Sequence, residues 1–469
     1  MSLISAPQNL LTFSLKLFPP EDASFSAQDS TYDSSPPLTN SNHIIMALWW
    51  FSNRKIHKVP QLLRQEERNG NYYDPEVVSF GPYHHGKADL QLCQEAKHLA
   101  LHMFLEGSGQ SREFFFSKVV EVIADARNCY IDGSTDIYTD EEFAEMMLLD
   151  ACFLIYYILI YYMDIDKKHQ ELSFLMYNNL GRLVLSLVNH DIFLMENQIP
   201  FRILVLLIDL RYNNDWKGEE ALNKFLHKSV WGQYRQQQIQ GIQQQQKKSQ
   251  PLDLFEAFHR VLTWDWTPQR QVKLDQQEDV DLKKYHKIFR SVKDLKAKGI
   301  RFKPSYRKSL NDIIFHSYTF FGQLQLPIWF ESNLSKVFFL NMIAYELCPN
   351  NLVDTTVISY VNFMKSLIDS PDDVKELREK RILLTTLESD EEVVQLYRDL
   401  NTYGMGSMYS FQEVKQRIQE HYDSKTKTWM AELIHNYFSN PWSFIAWFAG
   451  LLLLVLTFMQ TYFTINTRD

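Results

Sequence analysis

Three places in the chain put ionisable or metal-binding side chains where they could do chemistry. His84 and His85 stand together in SFGPYHHG (Ser79–Gly86), and imidazole is both the commonest metal ligand and a ready general base. Adjacent side chains diverge on a regular element, no acid nearby in sequence pairs obviously with them, and Cys93 is isolated. They are expected to be loop histidines that pack and hydrogen-bond, with metal binding or catalysis as the alternatives. Asp150 lies inside MMLLDACFLIYYILIYYM (Met146–Met163). A carboxylate there must be paired, by a buried Arg or by backbone N–H groups, because burying it alone is costly.

Glu196, Asn197 and Gln198 interrupt the apolar stretch IFLMENQIPFRILVLLI. One carboxylate and two amides in such surroundings need partners. The expected arrangement is a buried polar network that fixes the break before Pro200, with a ligand or partner contact as the alternative. Asn341 and Glu346 in VFFLNMIAYE repeat the pattern. Several such intrusions point to hydrogen bonds within a helical core rather than to one active site.

Neither nucleotide-binding fingerprint occurs, nor a zinc-protease helix, an EF-hand loop or a nucleophile elbow. Cys93, Cys129, Cys152 and Cys348 are scattered without paired spacing, so neither a disulfide framework nor a zinc site is signalled. The reading leans away from an enzyme and assigns no cofactor, metal or catalytic residue. The alternative is an active site of unrecognised type around His84, Asp150 or Glu196. Lys287–Lys308 carries nine Lys or Arg against Asp294 alone, either a solvated face or a contact for anionic lipid. Over the whole chain 57 acidic residues outnumber 48 basic ones, for a net charge of −9, so nucleic acid is not an expected partner.

The elements that must position these residues read as mainly helical. Gly (15) and Pro (16) are sparse in 469 residues, which disfavours turn-dense all-β folds. Thr139 and Glu142 form a capping box ahead of the Asp150 helix. Ser370-Pro371-Asp372-Asp373 starts another helix, with Pro at its first position. Met146–Met163 is expected to be a buried core helix, a second membrane span being the alternative. Three short stretches, Ile300–Lys303, Leu310–His316 and Leu324–Phe330, suggest a small antiparallel β meander, and Pro327 suggests that the last is an edge strand. Residues 1–45 form a polar leader expected to be disordered. Residues 50–435 form the helical body, interrupted by a Gln-rich segment, about 213–277, read as a long exposed loop.

Trp442–Ile465 is the clearest signal. Its 24 residues carry no charge, and a helix of that length spans about 36 Å, more than the roughly 30 Å of a hydrocarbon core. Trp442, Trp447 and Tyr462 suit the interfaces. Met1–Pro20 lacks the compact apolar core of a secretory leader. With Asn466–Asp469 following, the pattern is that of a tail-anchored or simple single-pass protein. Its body is expected on the cytosolic side, the lipid bilayer is one partner, and the protein partner is unknown.

Four blocks, in this order, resemble the plant-restricted family called domain of unknown function 247. They are IHKVPQLLRQEERNGNYYDPEVVSFGPYHHG (Ile56–Gly86), MMLLDACFLI (Met146–Ile155), DIFLMENQIPF (Asp191–Phe201) and KGIRFKPSYRKSLNDIIF (Lys298–Phe315). The last runs on to LPIWF, NMIAYE and the C-terminal span. The resemblance implies a mostly helical plant protein with a C-terminal membrane helix. It supplies no catalytic residue and no cofactor. Some grass members are linked to pollen-side self-incompatibility, so the resemblance points to recognition or signalling. The departures are Gln65-Glu66-Glu67-Arg68, where the family is usually Leu- or Val-rich, and the Gln tract.

Overall fold

A computed structural model describes residues 54–65, 71–106, 108–162, 181, 183–212, 218–231, 250–263, 290–306, 309–349, 355–406, 410–424 and 441–466. The polar leader, most of the Gln tract and both ends of the basic stretch (287–289 and 307–308) lie outside the described residues. The chain divides into two units. One holds residues 1–264, 333–358 and 399–405, the other residues 265–332, 359–398 and 406–469.

The first unit is helical. In chain order it contains α1 (Leu92–Glu106), α2 (Arg112–Val120), α3 (Asp140–Tyr162), α4 (Leu183–Ile192), α5 (Phe201–Arg211), α6 (Gly218–Trp231) and α7 (Leu254–Thr263). Helix α3 is its axis and packs against α1, α2, α5 and α6. The capping box forms as the residues require: Thr139 N–H donates to Glu142 and Glu142 N–H to the Thr139 hydroxyl, at 2.9 and 3.2 Å. Phe143, Met147, Leu148, Cys152, Phe153 and Ile155 are all buried. An apolar surface on every side marks a helix enclosed by its neighbours. Each large buried side chain contributes about 1.5–3 kcal/mol, so this helix adds substantially to the unit's stability. Met146–Ile158 is enclosed by protein, as expected of a core helix.

The Gln-rich interval is not one long loop. It contains α6 and α7. Helix α7 begins where Asp253 accepts the Glu256 N–H at 2.7 Å, and Leu254, Phe255, Phe258 and Leu262 recur at helical spacing and are buried. A capping acid followed by this periodicity makes a helix whatever the composition of the tract before it.

The second unit contains α8 (Val292–Ala297), β1 (Ile300–Ser305), β2 (Ile314–Ser317), β3 (Gly322–Pro327) and β4 (Trp329–Glu331). The chain then forms α9 (Ser335–Glu346), α10 (Thr356–Leu367), α11 (Pro371–Glu379), β5 (Leu383–Thr385), α12 (Asp390–Asp399), α13 (Gln412–Asp423) and α14 (Pro441–Asn466). Helix α9 belongs to the first unit and the rest mainly to the second.

The strands correct the expected antiparallel meander. The larger sheet is mixed, in the order β1-β3-β2, with β3 parallel to β1 and antiparallel to β2. β4 and β5 form a separate parallel pair. β3 is therefore central, not an edge. Pro327 is tolerated because it is the last residue of its strand, opposite Ser305, where no further ladder bond is needed. The register puts Phe302, Leu324 and Phe315 in one row, and all three are buried. This row faces α13, whose His421 ring lies 5.7 Å from Phe315.

Helix α14 starts one residue before Trp442 and ends one after Ile465. Ile445–Asn466 is long and apolar enough to cross a membrane, and none of that segment is buried against protein. The hydroxyls of Thr457, Thr461 and Thr464 donate to the carbonyls four residues back, at 2.6–2.8 Å. The helix thereby satisfies its own threonines, which a lipid environment demands.

Candidate functional site

Three of the six candidate residues, Asp150, Asn197 and Gln198, converge on one segment in the first unit, while His84 and Glu196 meet each other. The backbone from Glu76 to Gly81 belongs to no helix or sheet, so its N–H groups need other acceptors. Side chains supply them. Asp191, fully buried, accepts from the N–H groups of Glu76, Val77 and Val78 at 2.8–2.9 Å and contacts His190 Nδ1 at 2.8 Å. Asn197 Oδ1 accepts from Phe80 N–H at 2.7 Å, while its amide nitrogen donates to the carbonyls of Val78 and Asp191 at 3.0 Å. Asp150 accepts from Gly81 N–H at 2.8 Å.

Asp150 also meets Lys97 Nζ at 2.6 Å, both side chains being 1% exposed. The same ammonium donates to the Ser79 carbonyl at 2.6 Å. The sequence predicts an arginine or backbone N–H groups as the partners of Asp150. Asp150 has a lysine and one backbone N–H. Lys97 carries a readable signal: Cys93, Ala96, Lys97, Ala100, Leu101 and Phe104 form one buried stripe of α1, so helical spacing alone turns Lys97 inward.

Gln198 completes the clamp. Its amide nitrogen donates to the Ile192 and Leu194 carbonyls at 2.9 and 2.8 Å, and its side-chain oxygen accepts from Phe255 N–H at 3.2 Å. Its backbone carbonyl accepts the Tyr130 hydroxyl at 3.0 Å. Gly81 packs against this carbonyl with φ +73°; an added Cβ would lie 2.4 Å from the Gln198 oxygen and 2.8 Å from the Tyr130 hydroxyl.

Glu196 anchors the other end of the opening block. It accepts from Val59 N–H, meets Arg64 at 2.8 Å and lies 3.3 Å from His84 Nε2. Asp74 faces the opposite edge of His84 at 3.7 Å and pairs with Arg64 at 2.8 Å and Lys87 at 3.3 Å. His84 therefore stands between two carboxylates, although no acid near it in sequence suggested a partner. The contacts are ion-pair distances, and neither ring nitrogen makes an aligned hydrogen bond. Burial opposes the charged form of Glu196, but His84 and Arg64 hold its carboxyl below the usual range. An imidazole between a half-exposed and a buried carboxylate is the kind of group that general acid–base chemistry uses.

His85 takes no part. It is exposed, its ring packs edge-on against Tyr138 at 5.8 Å, and burial of that face lowers its pKa. The two histidines diverge, as adjacent side chains do. Among the described residues no group of three His, Cys, Asp or Glu side chains is placed to hold a metal ion. A polar cavity of about 380 Å³ opens in the second unit, where Lys375, Arg378, Glu388 and Asp390 line it. None of the six candidate residues does so.

The remaining intrusions behave alike. Asn341 accepts from Met195 N–H and donates to the Tyr72 carbonyl, at 3.0 and 2.9 Å. Glu346 accepts from the first N–H groups of α10, Val357 and Ile358, at 2.8 Å, and meets His259 at 2.7 Å. Asp253 is the exception in its titration. Complete burial and the neighbouring Glu256 carboxylate push it up to about 7. The folded state then keeps a proton that the unfolded chain releases near pH 3.9. Stability should fall as pH rises from about 4 to about 7, by up to about 1.4 kcal/mol per pH unit. Asp253→Asn keeps an oxygen for the cap and removes the charge. The melting temperature of the variant relative to the parent should climb across that window, whereas a constant offset from pH 4 to 8 would show that Asp253 is ionised throughout.

The family model described as "Plant protein of unknown function" matches residues 56–456. The UPF0481 protein At3g47200 of Arabidopsis thaliana is 26% identical over 422 residues, covering 84% of this chain and 83% of the relative. A second UPF0481 protein of that plant, At3g02645, is 22% identical over 497 residues, covering 87% and 89%. No solved structure matches. Residues 56–456 include the clamped segment, all six candidate positions and most of α14.

Proposed function

We propose a function that starts from kinship: the chain belongs to the plant family whose model it matches. On this reading it is a single-pass membrane protein whose helical body serves as a non-enzymatic interaction or signalling module. The observation that carries the reading is α14, a charge-free helix with no protein covering Ile445–Asn466. Exposing that much apolar surface to water would be strongly unfavourable, and a bilayer removes the cost. The body supports the second half of the reading. Asp150, Glu196, Asn197 and Gln198 are engaged in holding backbone, which is the work of a rigid scaffold. Partner recognition then falls to its surface, on the cytosolic side.

The test is fractionation of the full chain beside a chain ended at Asn440. The full chain should stay with membranes through alkaline carbonate and the shortened one should move to the supernatant. If both remain with the pellet, the tether is elsewhere. Protease added to intact microsomes should digest the body; complete protection would place it in the lumen. An enzyme is the second reading, and the placement of His84 between two carboxylates is the observation that favours it. Turnover lost in His84→Gln at unchanged stability would establish it.

A further inference from the structure

The described basic residues of Lys287–Lys308 divide in two. Lys293 and Lys296 pair with Asp372 and Glu376 of α11, and Arg290 and Lys298 lie over the Tyr422 ring at 4.4 and 5.2 Å. Arg301 and Lys303 do something else. They alternate with the buried Ile300 and Phe302 along β1, so they project from the sheet face opposite α13. The register continues that face as rows: Arg301 beside Gln323 beside His316, then Lys303 beside Gln325 beside Ile314. Among the described residues no acid pairs with Arg301 or Lys303. From Arg301 to Gln325 the chain holds one acid, Asp312, and it is buried with Ser305.

The turn joining β2 to β3 adds an aromatic edge. Tyr318 and Phe320 are 46% and 54% exposed. The Tyr318 ring lies 4.8 Å from Phe321 and 6.3 Å from His316, and the Arg301 guanidinium sits 4.5 Å over Phe321. One strip therefore presents cations, an imidazole and exposed aromatic rings.

We propose that this open sheet face and the Tyr318–Phe321 turn dock on the headgroup layer of an anionic bilayer. Amphipathic rings with an arginine or lysine beside them are the groups that settle at a membrane interface, and the cations complement anionic headgroups. Two basic side chains are too few to recruit a free protein, but α14 on the same chain supplies a high effective concentration of bilayer. A polyanion in bulk water lacks that advantage and meets a chain of net charge −9. The inference rests on the membrane tether proposed above.

The test uses hydrogen exchange of the full chain in lipid nanodiscs. One set is phosphatidylcholine alone and the other has a third of its lipid replaced by phosphatidylserine. Amides of residues 316–323 should exchange about tenfold more slowly in the anionic discs, with those of α7 unchanged. Arg301→Glu with Lys303→Glu, and separately Tyr318→Ser with Phe320→Ser, should abolish the difference. Equal exchange in the two discs, with α14 protected in both, overturns the docking face alone. A chain that does not enter the discs overturns the tether and the docking face together.

Discussion

Replacing Gly81 with alanine will remove a large share of the stability of the first unit. Two costs add at this position. The backbone has φ +73°, and an alanine there costs roughly 1–2 kcal/mol. Its Cβ would also sit 2.4 Å from the Gln198 carbonyl and 2.8 Å from the Tyr130 hydroxyl. Neither neighbour can move freely: Gln198 is held through Ile192, Leu194 and Phe255, and Tyr130 is fully buried. A loss above about 4 kcal/mol is expected, out of a total of about 5–15 kcal/mol. Gly86→Ala provides the control. Its φ is +79° and nothing lies within 4 Å of an added Cβ, so only the backbone cost remains. Denaturant unfolding of the two variants in detergent should differ by several-fold in lost stability. Equal losses would mean that Gly81 makes no close approach to Gln198.

The second large effect is at Lys97 and Asp150. Lys97→Met leaves a buried carboxylate with Gly81 N–H as its remaining partner. Asp150→Asn leaves a buried ammonium facing a neutral amide. Each should cost about 3–5 kcal/mol, the usual result of stranding one charge. The double variant removes both charges, and the asparagine oxygen still accepts from Gly81. Its loss should be well below the sum of the two, giving a coupling energy of about 3 kcal/mol in a double-mutant cycle. Additive losses would show that the two side chains titrate or solvate independently.

Much of this was readable in the residues, and the unread part has a common cause. The charge-free run from Trp442 to Ile465 announces its helix because length and the lack of charge are local properties. Asp150, Glu196 and Asn197 stand out because a polar side chain among apolar ones needs a partner. The partners themselves were mostly invisible. Val77, Val78, Phe80 and Gly81 contribute backbone N–H groups, which every residue has and no residue type advertises. Lys97 was legible by helical spacing, but its charge disguised it as a surface residue. Helix α7 was hidden by the glutamines that precede it, although Asp253 and the spacing of Leu254, Phe258 and Leu262 mark it. The mixed sheet could not be read, since alternation within β1 and β3 shows which side is buried but not which strand lies alongside, or in what direction.

Apart from Lys97, which follows Ser79 by 18 positions, the side chains that hold Glu76–Gly81 are made long after it. During synthesis Gly81 leaves the ribosome 69 positions ahead of Asp150, and Phe80 leaves 117 positions ahead of Asn197. Until those residues arrive the early stretch lacks the acceptors of its N–H groups, and loop closure over such distances is slow. Maturation of this part of the chain therefore runs from its later residues back to its earlier ones. Throughout that interval Val77, Val78, Ser79 and Phe80, which the folded protein buries, are open to chaperones.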